Sequence, residues 1–340
     1  MRRTADLYTA VEQALRAPSV HNTQPWRWRI RPDAVELHAD WHRHLRATDP
    51  DHRDLILSCG AALHHLTVAL TAQGLAGKVD RLPDPENRGH LATVTIRHEQ
   101  GDSADAALFP AICRRQTDRR RMSRRLVPAD TLQTLTEQAH RAGALLVPVT
   151  GAAMRRRLSS AVTEAGRHQQ SVPGYEAELE LWTRRYAAGR DGIPAASIAP
   201  PPVGLTRPSP LRWFPRAQLR QPRQLPAEGP PDDAAELLVL ATPDDELVDR
   251  LRAGEAISAV LLAATQRGLA TTPLSQAIEV KSSRREIQQE VLRSTAHPQL
   301  IIRVGWPATG AAELPLTPRR DLSSILLPNR PTTRSGSRMQ

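Results

Sequence analysis

The segment at 113–125, CRRQTDRRRMSRR, combines closely spaced arginines with a hydroxyl residue. Arg115, Thr117 and Arg119 stand at alternate positions within it. A guanidinium fork beside a hydroxyl donor is a suitable cradle for a phosphate, and a nearby arginine can also neutralise charge that develops on a bound ring. Arg319, in the stretch TPRRDL, is a candidate for a second anchor. The alternative interpretation of such a charge run is a solvated basic face.

The segment at 17–26, APSVHNTQPW, carries four uncharged polar side chains and a histidine between two prolines. Amide and hydroxyl groups are costly to bury unless each finds a hydrogen-bond partner. A plain connecting turn needs far fewer of them, so the composition indicates a loop that contacts a ligand or another segment. His21 within it could donate to a substrate or make a structural hydrogen bond.

Two regular elements are predicted to hold this loop in place. A helix is expected over 5–17, because apolar residues recur there at four-residue spacing, and Pro18 disfavours helical geometry in the residue before it. The segment 26–30 alternates apolar residues with arginine, which predicts a half-buried strand. A turn at 32–33 then leads into a second strand at 35–37.

An internal repeat is the most informative feature of the organisation. CGAALHHLTVALTAQGLA at 59–76 aligns without gaps on AGEAISAVLLAATQRGLA at 253–270, and Gly60 matches Gly254. Helices rich in Ala and Leu can resemble one another by composition alone. A second match, EQALRA against EQAHRA, and the recurring order of helix, strand, helix and strand favour a duplication.

We therefore expect an α+β fold built as a tandem pseudo-dimer, with a first half at 1–105, a second half at 106–330 and a disordered tail at 331–340. The polar loop at 17–26 occurs only in the first half, and the arginine run occurs only in the second. Because each half holds what the other lacks, the sequence predicts one composite site per chain.

The second half contains an insertion at 166–231 with no counterpart in the first half. A helical pattern at 175–187 is followed by a proline-rich stretch, and long irregular segments are usually either functional or disordered. Trp182, Trp213 and Phe214 are apolar residues that a solvated linker would not need. We therefore expect a lid over the composite site, with a disordered linker as the alternative.

The composition excludes several classes of partner. The chain of 340 residues has a net charge of +10, but its arginines are spread along it and aromatic residues make up only 3%, so no nucleic-acid partner is expected. Its two cysteines are too few for a disulfide framework. No secretory signal and no run of about 18 apolar residues is present, so we expect a cytoplasmic protein without a membrane partner.

Four histidines, His38, His42, His44 and His52, lie close enough in sequence to suggest a metal site. Their separations do not place a tetrahedral set on one element, and no helical zinc signature accompanies them. No metal is therefore expected.

Together, these motifs resemble the FMN-dependent nitroreductase family, and within it the actinobacterial Acg-type branch, in which two family halves are fused in one chain. The family has an R-x-[ST]-x-R element and a C-terminal arginine that hold the phosphate and pyrimidine end of FMN, and a PSxxNxQPW loop that lies against the isoalloxazine. The resemblance implies these roles for Arg115, Thr117, Arg119 and Arg319, and for Pro18, Ser19, Asn22 and Gln24.

The family also has a GL…TP turn whose backbone N–H faces flavin N5, and GLATTPLSQ at 268–276 is similar to it. This similarity implies cofactor contacts for Pro273, Leu274, Ser275 and Gln276. Two positions depart from the family pattern: Gln276 replaces an acidic residue or glycine, and Asp321 replaces a proline after the arginine pair. The resemblance covers most of the chain except 166–231.

The function that the resemblance implies is an FMN-binding oxidoreductase. NAD(P)H would reduce the flavin, and hydride transfer from N5 would reduce nitroaromatic or quinone-like acceptors. Such chemistry needs no protein nucleophile, and none of the usual hydrolase motifs is present. The alternative is a flavin-binding or flavin-storing protein whose lid occludes FMN and allows little NAD(P)H turnover. Either a monomeric pseudo-dimer or a homodimer is compatible with the sequence.

Overall fold

A computed structural model of the chain describes residues 2–97, 103–183, 189–200, 211–222 and 234–328. These residues form two four-stranded antiparallel sheets and the helices that pack on them. The expected α+β class is confirmed. The predicted tail at 331–340, and parts of the predicted insertion, lie outside the described residues.

The first sheet has the strand order β1-β2-β4-β3, and every neighbouring pair is antiparallel. A β-bulge interrupts the pairing of β2 with β4 between Leu37 and His38. Its strands are β1 (Trp26–Ile30), β2 (Ala34–Ala39), β3 (Ala76–Arg81) and β4 (His90–Arg97).

The second sheet repeats the pattern of the first, with the order β5-β6-β8-β7. A bulge between Leu240 and Ala241 interrupts the pairing of β6 with β8, as in the first sheet. This repetition supports the predicted tandem arrangement, which stays a prediction. The strands are β5 (Leu145–Pro148), β6 (Glu236–Thr242), β7 (Ala270–Leu274) and β8 (His297–Gly305).

The two longest described helices, α2 and α8, pack against each other, and α2 also contacts the first sheet whereas α8 contacts the second. The α-helices of the described residues are α1 (Arg2–Ala14), α2 (Arg53–Ala72), α3 (Ser103–Ala106), α4 (Phe109–Arg114), α5 (Ala129–Arg141), α6 (Ala152–Gln170), α7 (Tyr175–Thr183), α8 (Leu247–Gln266), α9 (Gln276–Glu279), α10 (Lys281–Glu286) and α11 (Leu322–Ile325).

The contact between α2 and α8 joins the two repeated parts. His64 and His65 of α2 both share a hydrogen bond with the Ser258 hydroxyl of α8, through Nδ1 at 2.8 Å. Among the described helices, α2 is long and apolar enough to cross a membrane, but 83% of that apolar stretch is buried inside the protein. Such burial is typical of a core helix.

Local predictions agree with the structure except at element ends. The helix expected at 5–17 ends as an α-helix at Ala14, and i→i−3 hydrogen bonds continue the turn to Ala17. Both strands after the loop are present. The predicted start of the insertion, at 166, lies inside α6. The helix predicted at 175–187 is present as α7 over Tyr175–Thr183, and its predicted end lies outside the described residues.

Candidate functional site

The loop between α1 and β1 is held in an uncommon backbone conformation. His21, Asn22 and Gln24 have φ values of 44°, 54° and 52°, in the left-handed region. Non-glycine residues adopt this region rarely and only where surrounding contacts fix it. Two hydroxyls supply such contacts: Ser19 Oγ accepts from the Gln24 backbone N–H at 3.0 Å, and Ser58 Oγ accepts from the Val20 N–H at 3.1 Å.

The loop amides fasten distant segments to one another. Asn22 Nδ2 donates to the carbonyl oxygens of Gly192 (2.9 Å) and Pro318 (3.0 Å). Gln24 Nε2 donates to the Arg190 carbonyl at 2.8 Å, and Gln24 Oε1 accepts from the Arg320 backbone N–H at 2.8 Å. The polar composition of the loop is therefore used largely to hold the insertion and the C-terminal segment.

The arginine run lies beside β7 as a short extended segment. Thr117 forms a parallel bridge with Thr271, and the Asp118 backbone N–H donates to the Thr271 carbonyl at 3.0 Å. Asp118 also accepts from Arg120 through both carboxylate oxygens, at 2.9 and 2.8 Å. Arg120 thus has a structural role, whereas Arg115 and Arg119 stay available to a ligand.

Three guanidinium groups meet where the two repeated parts of the chain join. Arg115 is buried, and the Nε and Nη1 atoms of its side chain are enclosed without a hydrogen-bond partner among the described residues. Arg119 forms no ion pair among these residues and lies over the Phe214 ring at 5.2 Å. Arg319 donates to Asn22 Oδ1 (3.1 Å) and to backbone carbonyls.

Burial without carboxylate partners weakens the charged state of all three arginines. Burial lowers the pKa of Arg115 to about 10 and that of Arg119 to about 10, with the charge of Arg212 adding to the effect on Arg119. Burial and the charge of Arg115 lower the pKa of Arg319 to about 9. A cluster of one buried and two half-buried cations, none of them paired with a carboxylate among the described residues, is unfavourable unless an anion joins it. The arrangement therefore has the chemistry of an anion site.

Two neighbouring cavities lie against these arginines. The larger encloses about 120 Å³ and the smaller about 50 Å³. Pro18, Ser19, Thr117 and Arg119 line both, so the two cavities share one wall.

The structure brings eleven of the predicted site residues to these cavities and leaves one outside. Gln24 lines neither cavity and has no exposed surface, because its amide holds protein segments together. Besides the shared wall, the larger cavity is lined by Pro273, Leu274, Ser275 and Gln276, and the smaller by Asn22, Arg115 and Arg319.

Two carboxyl groups that the sequence did not predict are part of this region: Asp54 lines the larger cavity, and Glu279 contacts residues that line it. Asp54, in the first turn of α2, lines the cavity, and its Oδ2 has no hydrogen-bond partner. Burial and the charges of Glu279 and Asp49 raise its pKa well above the ordinary value. Glu279 accepts from Arg212, Gln169 and the Ser275 hydroxyl, the last at 2.6 Å. Asp54 is therefore easier to protonate than an ordinary aspartate. In the sequence, Asp54 stands alone at the start of an apolar helix and belongs to no motif that would have indicated a site.

The described part of the insertion closes over the larger cavity. Leu211, Arg212 and Phe214 line it. Arg212 pairs with Glu279 and donates to His21 Nε2 at 3.1 Å, and the Phe214 ring meets His21 edge-on at 5.5 Å. Burial, followed by the charges of Arg212 and Arg119, lowers the pKa of His21 well below its usual value, so His21 is neutral and accepts from Arg212.

Another group of polar residues has ligand atoms close enough for a metal ion. Glu36, His38 and His90 lie within 4.8 Å of one another. However, the Glu36 carboxylate is bound by Arg29 at 2.6 Å and by Arg31 at 2.5 Å. Two adjacent guanidinium groups oppose a cation there.

Two curated proteins of Mycobacterium tuberculosis are similar to this chain over nearly its whole length. A protein of Mycobacterium tuberculosis (strain H37Rv), named as an NAD(P)H nitroreductase, is 43% identical over 319 residues, which are 94% of this chain and 90% of that protein. The Acg protein of the same strain, also named as an NAD(P)H nitroreductase, is 35% identical over 332 residues, 96% of each chain. No protein-family model matches the chain.

Solved structures align more distantly. The FMN-dependent nitroreductase NfnB from Mycobacterium smegmatis, in complex with NADPH, has a TM-score of 0.40 and 18% identity, with 67% of this chain and 100% of that chain covered. The identity and coverage of the curated relatives decide the family. They confirm the resemblance that the motifs indicated, and the chain belongs to the NAD(P)H nitroreductase family.

Proposed function

We propose that this chain is an FMN-binding oxidoreductase that uses NAD(P)H to reduce nitroaromatic or quinone-like acceptors at one composite site. One observation carries the proposal: the guanidinium groups of Arg115, which is buried, and of Arg119 and Arg319, which are half-buried, lie beside two joined cavities, and none of the three is ion-paired with a carboxylate among the described residues. The names of the relatives, NAD(P)H nitroreductases, support the reaction class.

The residues present fit FMN. The unpartnered Nε and Nη1 of Arg115 and the unpartnered Nε of Arg319 are donors that a phosphate would satisfy. Thr117 adds a hydroxyl to the same wall. The larger cavity offers apolar surface for a ring from Leu57, Ala61 and Ile257 of the two central helices. A bound flavin would accept hydride at N5 and pass it to an acceptor.

The surrounding residues have separate tasks in this proposal. Arg119, which lines both cavities, offsets negative charge that develops on a reduced ring. Asp54 places a carboxyl group at the cavity wall, and its raised pKa makes it our candidate proton donor to a bound molecule. Arg212 and Phe214 exclude water from the cavity when the insertion is closed.

The test is anaerobic mixing of the FMN-loaded protein with NADPH or NADH, followed by absorbance of the flavin. An enzyme should lose its oxidised flavin absorbance within catalytic times and recover it when a quinone is added. A protein that retains no FMN, or whose flavin neither coenzyme reduces, would contradict the proposal.

The contacts of Arg212 favour a second candidate function, flavin storage behind a closed lid. Arg212 is bound on two sides, by Glu279 and His21, so nicotinamide could enter only after the insertion moved. In that case NADPH should reduce the flavin very slowly in the wild type and much faster in Arg212→Ala. Equal rates in the two proteins would argue against an occluding lid.

A further inference from the structure

A separate cavity lies between β3, α5 and the α2–α8 pair. It encloses about 550 Å³ and shares no lining residue with the two cavities of the candidate site. His64 of α2 and Glu255 of α8 form its buried part. We refer to it as the β3 cavity.

The internal repeat relates the β3 cavity to the candidate site. The gap-free alignment of α2 on α8 continues into the following strands, β3 and β7, which both pair antiparallel at an edge of their sheets. In this alignment, three residues of the larger candidate cavity correspond to three residues of the β3 cavity. The pairs are Ala61 with Glu255, Pro273 with Val79, and Ser275 with Arg81.

The side chains at these matching positions differ in size and charge, and these properties determine whether a ring can enter the cavity. The candidate site has a methyl group at Ala61 and a small hydroxyl at Ser275. The β3 cavity has a carboxylate and a guanidinium instead, joined by two parallel hydrogen bonds of 2.7 Å from Arg81 Nε and Nη2 to Glu255. The pair bridges the end of β3 to α8, across the space that the alignment matches to the ring-binding wall.

We propose that the Arg81–Glu255 ion pair closes the counterpart of the candidate flavin site to ring ligands and so limits the chain to one flavin. The inference rests on the proposed function and on the tandem arrangement. It makes Arg81 and Glu255 specificity-determining residues, although neither lines the site that holds the flavin.

The ion pair is suited to this role because the buried Glu255 carboxylate needs the charge of Arg81 nearby. Glu255 is buried, and burial raises its pKa even though Arg81 opposes that change. A ring entering the cavity would have to separate the buried Glu255 carboxylate from its guanidinium partner, which is unfavourable. Removing Arg81 alone would leave a buried carboxylate unpaired, so the test replaces both residues.

The experiment uses the full-length, FMN-loaded protein and the double variant Arg81→Ser/Glu255→Ala, which installs the residues of the candidate site. Riboflavin is the probe, because it carries the ring without needing a phosphate anchor. Binding is followed by equilibrium dialysis and by quenching of riboflavin fluorescence. We expect the double variant to take up a further equivalent of flavin at riboflavin concentrations where the wild type takes up none.

Matched variants separate the possible outcomes. Arg155→Ser/Glu236→Ala removes an ion pair between α6 and β6 whose residues line none of these cavities, and this variant should behave as the wild type. Arg81→Ser/Glu255→Gln keeps a polar side chain at 255 and replaces the first variant if that one does not fold.

Two failures can be told apart. If wild type and variants retain one FMN and the folded double variant binds no riboflavin beyond the wild-type level, the ion-pair inference is wrong and the proposed function stands. If no protein retains FMN, the proposed function itself fails.

Discussion

Gly60 and Gly254 face each other where α2 crosses α8. A Cβ atom on Gly60 would lie 2.0 Å from the Leu251 carbonyl oxygen, and one on Gly254 would lie 2.1 Å from that of Leu57. The opposing atoms belong to backbone, which cannot move aside as a flexible side chain can. The two positions are matched by the internal repeat, so each repeated part contributes one glycine to the same contact.

Gly254→Ala is expected to destabilise the protein by about 3 kcal/mol or more, because the added methyl forces the two helices apart. Thermal and urea unfolding measure the effect. Gly166→Ala is the matched control within a helix: its Cβ would meet the nearest atom at an ordinary 3.5 Å, so that variant should be neutral or slightly more stable. Equal losses in both variants would show that the helix crossing is not the cause.

Arg115→Ala should weaken FMN binding by about tenfold to a hundredfold, the effect of losing charge-assisted hydrogen bonds. Fluorescence titration of apoprotein with FMN gives the dissociation constants. Arg125→Ala is the control, because Arg125 stacks on Trp306 at 3.9 Å and lines neither candidate cavity.

In the absence of FMN, Arg115→Ala is expected not to be harmful, and the property to measure is the stability of the apoprotein. Arg115 is buried beside other cations without a partner, so its removal should leave apoprotein stability unchanged or increased. A large loss of stability without FMN would show that Arg115 serves the fold and not the ligand.

Acidic pH should open the insertion. The pKa of His21 lies well below 6.5 while Arg212 donates to it, whereas an open insertion would expose His21 to water. Below about pH 6.5, His21 therefore binds a proton in the open form but stays neutral in the closed form. Acidification for this reason favours opening. Release of FMN, or trypsin cleavage within the insertion, should accelerate as the pH falls from about 7.5 to about 5.5.

His21→Asn isolates this effect, because asparagine tolerates the left-handed backbone that His21 adopts. The raised pKa of Asp54, which results first from burial, acts in the opposite direction and is present in both proteins. An identical pH dependence in wild type and His21→Asn would eliminate His21 as the responsible group.

Asp49→Asn should increase stability at neutral and alkaline pH. Burial raises the Asp49 pKa from 3.8 to about 7, so the folded protein keeps a proton that the unfolded chain loses as the pH rises through this interval. Stability falls across that interval, by at most about 4 kcal/mol. Asparagine removes the titration and still accepts from the Leu55 N–H, which Asp49 Oδ2 caps at 2.9 Å. Urea unfolding at several pH values measures the change, and parallel curves for the two proteins would contradict it.

Several features were accessible from the sequence because they depend on short-range chemistry. The alternation in 26–30 predicted β1, and the gap-free repeat identified the two helices that meet at the centre. One departure came from Arg29, which the alternation placed on the solvent side. It is buried because Glu36 lies opposite on β2 and accepts from it at 2.6 Å.

The site itself was only partly accessible. Spacing and family resemblance identified the arginines and the loop, but they could not separate residues that face the cavities from residues that hold segments together. Gln24 belongs to the second group, and its partners Arg190 and Arg320 are far away in sequence. Asp54 and Arg212 line the larger cavity, and Glu279 pairs with Arg212, so three separate segments contribute to this cluster.

The sequence by itself determined the element types, the repeat and the kinds of side chain available for binding an anion, because local periodicity and composition encode these properties. Only the tertiary structure decided which charges are paired. Arg120 and Arg115 are five residues apart in one run, yet one is neutralised by Asp118 and the other is buried without a partner. That difference arises because the strength of an interaction between charges depends on their distance and burial in the folded chain, and neither quantity is written in the order of residues.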